Sequence, residues 1–111
     1  MAGKFELNKS ATGQFRFSLK SGNGQVILAS EQYSSRDAAE NGIASVRANA
    51  EDDGRYDREV AKDGSFFFRL KAGNGQVIGV SEMYTTQAAR DNGIESVKKN
   101  APESVIDDKT G

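Results

Sequence analysis

Shifted by 51 positions, the 111-residue chain aligns with itself, and this internal repeat limits its possible folds more than any other feature. GNGQVILASEQY at 22–33 lies on GNGQVIGVSEMY at 73–84, and NGIASVRANA at 41–50 lies on NGIESVKKNA at 92–101. Phe15, Phe17, Leu19 and Lys20 fall on Phe66, Phe68, Leu70 and Lys71, and Phe5 falls on Tyr56. From Gly13 to Ala50, 22 of 38 positions match their counterparts. A unit of about 50 residues with an alanine-rich helix buries too little apolar surface to stand alone. The two copies are therefore expected to share one core.

Within each copy the periodicity changes from strand to helix. Lys4–Lys9 alternates with Phe5 and Leu7 on one face, and its weaker counterpart at 55–60 has Tyr56 and Val60 as apolar anchors. After a loop at Gly13 or Gly64, Phe15, Phe17 and Leu19 (Phe66, Phe68 and Leu70 in the second copy) recur at the period of a half-buried strand. Gly22-Asn23-Gly24 and Gly73-Asn74-Gly75 read as hairpin turns into third strands at 25–30 and 76–81. A helix closes each copy, with Ser34 and Thr85 as expected N-caps. Ala38, Ala39, Gly42, Ile43, Val46 and Ala50 fill one arc of roughly 140° on the helical wheel, and Ala89, Gly93, Ile94, Val97 and Ala101 do the same. The mid-helix glycines point to a close approach of helix and sheet, and Tyr33 and Tyr84 to staples onto Ala38 and Ala89. Pro102 ends the second helix.

These elements predict an α+β domain. Six antiparallel strands form one sheet, two helices cover one face, and a pseudo-twofold axis relates the halves. Repeat one spans 3–50, repeat two spans 54–101, and 102–111 is expected to be a flexible tail.

The doubled motifs F-x-F-x-L-K, G-N-G-Q-V-I, S-E-x-Y and N-G-I-x-S-V-x-x-N-A resemble the YegP-like family, small bacterial proteins made of a tandem domain of unknown function. The resemblance runs over about residues 3–101. It implies a β-β-β-α unit repeated in a single sheet, with the C-terminal helices exchanged between halves, and it brings no established activity, substrate or cofactor. Arg36 and Gln87 depart from the lysine common after the paired hydroxyl residues in that family, so no role carries over to them.

Missing residue types narrow the chemistry. With no Cys and no His, nucleophile–histidine catalysis and the usual zinc ligands are absent. Glu31 and Glu82 remain as a formal carboxylate pair, better read as residues of the strand-to-helix junction. GNGQV lies between two strands, not between a strand and a helix N-terminus, so it is a hairpin and not a phosphate cradle. Glu51-Asp52-Asp53 lacks the alternating oxygens and glycine of a calcium loop. Asn41 and Asn92, each before the helix glycine, are read as amides bonding to a neighbouring loop. No catalytic, metal or cofactor site is expected. MAGKFELNKS lacks the apolar stretch of a secretory signal and no apolar run reaches membrane-spanning length, so the expected setting is cytoplasmic, without a membrane partner.

One surface invites a partner. If the Phe15, Phe17 and Leu19 face meets the helices, then Arg16, Lys20, Phe67, Arg69 and Lys71 lie on the open side of the sheet, and the apolar third strands bring Ile27 and Ile78 there too. Such a face fits a protein-interaction or self-association module, with no catalytic role, anchored on Phe67 and Ile78. The alternative is weak single-stranded nucleic-acid binding, with Phe67 stacked on a base and the cations on phosphates. Fifteen Lys and Arg against sixteen Asp and Glu give a net charge of -1, which disfavours it.

Overall fold

A computed structural model describes residues 3–110 of the chain. The predicted alternation yields β1 (Lys4–Lys9), β2 (Phe15–Lys20) and β3 (Val26–Ala29), followed by α1 (Arg36–Asn49). The second copy supplies β4 (Tyr56–Val60), β5 (Phe66–Lys71), β6 (Val77–Val80) and α2 (Gln87–Asn100). One turn closes all four hairpins. In each, the residue three before a glycine accepts that glycine's N–H, and the glycine (Gly13, Gly24, Gly64 or Gly75) takes a positive φ of 84–88°. In the GNG turns, only the last residue needs that freedom.

The sheet differs from the expected one in size and sense. It has seven strands in the order β4-β5-β6-β3-β2-β1-β7, because residues assigned to a flexible tail form β7 (Val105–Asp108), parallel to β1. Pro102 ends α2 in a short 3-10 turn, Ala101–Glu103, which redirects the chain to the sheet edge. Val105 and Ile106 are followed directly by Asp107 and Asp108, with no alternation by which sequence periodicity could register a strand. The halves meet at one bridge, Ala29 opposite Val80, on the pseudo-twofold.

A bulge in each copy resolves the apolar runs of β3 and β6. Leu19 faces Leu28 but Lys20 faces Val26, leaving Ile27 as an extra residue; Leu70, Lys71 and Ile78 repeat the pattern. A bulge lets two successive side chains share a face. Ile27 and Ile78 are therefore core residues, 5% and 7% exposed, and do not reach the open side.

Both helices pack over Phe5, Leu7, Phe17, Leu19, Phe68 and Leu70. Each spans the seam: α1 touches β2 of its own copy and β5 and β6 of the other, while α2 touches β5 and β3. The caps fall one residue later than expected. Ser35 Oγ accepts from Ala38 N at 3.1 Å, and Thr86 Oγ1 from Ala89 N at 3.0 Å. The delay follows from Tyr33 and Tyr84, whose backbones pair with Phe15 and Phe66 and hold the chain extended.

Candidate functional site

The bare face of the sheet gathers only part of the predicted site. Arg16, Lys20, Phe67, Arg69 and Lys71 lie on it; Ile27 and Ile78 do not, for the reason given above. Its cations are largely neutralised across the strands. Lys20 Nζ sits 2.9 Å from Glu6, Lys71 3.2 Å from Asp57, Arg69 3.6 Å from Glu59, and Lys4 2.9 Å from Asp107 of β7. Hydrogen bonds from Lys20 and Asn8 hold the Glu6 carboxyl below its usual range, and the bond to Asp107 raises Lys4. Arg16, opposite Asn8, is the exposed exception. Phe67 is no protruding anchor: it is 8% exposed, and the Arg69 guanidinium lies 5.0 Å from its ring centre. Between the two sets of ion pairs, Val26, Ala29, Val77 and Val80 form an apolar strip at the seam, with Ala29 exposed.

Other candidates resolve into structural roles. Asn23 and Asn74 each accept the N–H two residues on, from Gln25 at 3.1 Å and Gln76 at 3.0 Å, so they brace their own turns. The helix glycines answer to tyrosine. A Cβ on Gly42 would lie 2.5 Å from the Tyr33 oxygen, and one on Gly93 2.5 Å from the Tyr84 oxygen. Each tyrosine thus lies across the middle of its helix. Burial pushes both phenols up, with Glu31 or Glu82 adding to the effect. Glu31, Glu82, Asn41 and Asn92 are exposed. Among the described residues, no group of three or more His, Cys, Asp or Glu is placed to hold a metal, and no helix is long and apolar enough to cross a membrane.

Sequence reasoning missed a second feature. A groove of about 810 Å³ opens between the β2–β3 hairpin and α2, lined by polar groups including Asn23, Asn92, Ser96 and Asn100, with Ile27 and Tyr84 among its apolar lining. The repeated Asn-Ala ending of each helix was its one sequence signal.

A two-copy α+β protein, its helices on one side of a continuous sheet and the other side bare, is the class that this geometry defines. The family described as Domain of unknown function (DUF1508) matches twice, at 10–57 and 61–108. Each matched unit starts in the loop before the second strand of its copy and takes in the chain that follows its helix. The UPF0339 protein YegP of Escherichia coli K12 is 53% identical over 99% of this chain and 100% of its own length. A UPF0339 protein of Bordetella pertussis is 56% identical, over 99% of this chain and 98% of its own length. The solution NMR structure of the E. coli protein of unknown function yegP superposes with a TM-score of 0.94, covering 100% of this chain and 96% of that one. That of a UPF0339 protein from Shewanella oneidensis superposes with 0.93, covering 99% and 93%. The chain belongs to this DUF1508 family of tandem-domain proteins, whose biochemical function is unknown.

Proposed function

We propose that the chain is a non-catalytic interaction module that works through the bare face of its sheet, with a second copy of itself as the occupant. One observation carries this reading: the apolar strip of Val26, Ala29, Val77 and Val80 is flanked by paired charges of both signs. A strip of this kind favours contact with another protein surface. The alternation of cations and carboxylates is complementary to itself, because a copy turned about a twofold presents acids to bases. Nucleic-acid binding is the weaker reading, because three of the four cations proposed to hold phosphates already have carboxylate partners.

Sedimentation equilibrium of wild type beside Ala29→Glu tests the proposal. Ala29 is exposed, so the variant is expected to keep its fold. The expected result is a mass that rises with concentration in wild type, persists in high salt, and returns to that of a monomer in Ala29→Glu. A wild-type mass constant up to millimolar protein, or equal association by the variant, would end it.

A further inference from the structure

The sequence carries four Asn-Gly pairs, and the fold divides them two and two. Asn23-Gly24 and Asn74-Gly75 stand at the tips of the β2–β3 and β5–β6 hairpins. Asn41-Gly42 and Asn92-Gly93 stand inside α1 and α2. All four asparagines are exposed, so access to water does not separate them. The dipeptide matters because its peptide nitrogen can attack the side-chain amide just before it, and glycine has no Cβ to hinder the approach.

At the hairpin tips the side chain is already curled toward that attack. Asn23 Oδ1 accepts from Gln25 N at 3.1 Å and Asn74 Oδ1 from Gln76 N at 3.0 Å, which brings each amide carbon back over the peptide that follows it. The same donor sits on the oxygen that must take up negative charge when the carbonyl is attacked. Gly24 and Gly75 are exposed and have nothing within 4 Å of where a Cβ would stand, so these turns open locally at little cost. In the helices each condition is reversed. Gly42 and Gly93 are buried, their N–H groups belong to the helical ladder, and Tyr33 and Tyr84 lie against them. Their nitrogens can reach the side chain of the preceding asparagine only if the middle of the helix unwinds and its contact with the sheet is lost.

We infer that Asn23 and Asn74 are sites of spontaneous deamidation in the folded protein, whereas Asn41 and Asn92 are protected by their helices. At Asn23, the nitrogen of Gly24 bonds to Cγ and loses its proton. The Cγ–Nδ2 bond breaks, and the amide nitrogen leaves as ammonia with a proton regained from water. Water then opens the resulting succinimide at either carbonyl, giving aspartate or isoaspartate, so one carboxylate replaces one amide and water is the only co-reactant. Asp63 shows the aspartate product in a turn of the same form: its Oδ1 accepts from Ser65 N at 2.9 Å, as Asn23 accepts from Gln25. Aspartate therefore leaves the hairpin intact. Isoaspartate lengthens the main chain by one carbon and moves the carboxylate onto Cα, so it loses that bond. Two conversions take the net charge from -1 to -3. Both sites lie in turns and not on the bare sheet face, so failure of either proposal leaves the other standing.

The test is incubation of the full folded chain at physiological temperature and mildly alkaline pH, beside the same chain unfolded in urea, with peptide mapping by mass spectrometry over several weeks. In the folded chain Asn23 and Asn74 should convert about tenfold or more faster than Asn41 and Asn92. In urea the four rates should converge, because the reacting dipeptide is the same. Equal rates in the folded chain, faster helix sites, or turns that stay intact while the urea sample reacts would each overturn the inference. A gap that survived in urea would overturn it too, since neighbours in sequence would then explain the sorting. Both arms use wild type, so neither depends on a variant folding.

Discussion

At the scale of single residues, the most exacting positions are those that allow nothing larger. Replacing Gly93 by alanine adds helix propensity of about 1 kcal/mol, but the new Cβ would meet the Tyr84 oxygen at 2.5 Å and Phe68 at 3.2 Å. Overpacking of this kind costs about 1–3 kcal/mol, so Gly93→Ala should destabilise on balance. Adding Tyr84→Phe removes the nearest atom and should recover part of the loss, which a double-mutant cycle by urea denaturation measures. A second residue-scale effect is electrostatic. Hydrogen bonds from Lys98 and then Arg58 draw the Asp53 carboxyl down to about 2. The folded chain therefore takes that proton less readily than the unfolded one. The contribution is complete above the ordinary carboxylate range and is lost as the pH falls from about 4 towards 2. Asp53→Asn should flatten that part of the urea-midpoint profile, and an unchanged profile would refute the linkage.

At the scale of elements, the two sheet edges are protected differently. β4 is exposed along one side, but its sequence YDREV sets Asp57, Arg58 and Glu59 on the edge, a pattern that discourages pairing with another chain. β1 carries Phe5 and Leu7 and is covered by β7, with Lys109 N donating to Leu7 O at 2.8 Å. Ending the chain after Ser104 should leave the fold intact but lower stability by about 1–3 kcal/mol, because several ladder hydrogen bonds and part of Ile106 are lost. Amide exchange should then speed up along β1 and not along β5. Equal acceleration in both would mean that β7 supports the whole sheet.

At the scale of the whole molecule, the repeats are matched and not interchangeable. Leu28 of one copy packs into the space that Gly79 leaves in the other: a Cβ there would lie 2.7 Å from Leu28 Cγ. Two copies of repeat one would set leucine against leucine at the seam. Gly79→Leu alone should therefore destabilise by about 3 kcal/mol or more, whereas the exchange Leu28→Gly with Gly79→Leu should recover most of it. Thermal unfolding of wild type and these two variants decides the point, and an exchange no better than the single change would show that the seam is not a size match.

Much of this was legible in the chain itself. Phe15, Phe17 and Leu19 alternate strictly, so β2 and β5 and the face they bury follow from period alone; the 22 matches between two 38-residue stretches make the pseudo-twofold follow as well. Local patterns survive because strand pleat and helix pitch repeat over a few residues. The remainder depended on contacts distant in sequence. The bulges that turn Ile27 and Ile78 into the core arise from pairing with β2 and β5. Phe67 is covered because Arg69 lies over it and Glu59 holds Arg69. β7 exists because β1 offers an unpaired edge 101 residues away from Val105. Each of these outcomes is set by which backbone edge or charge arrives as a neighbour, and a one-dimensional pattern carries no record of neighbours.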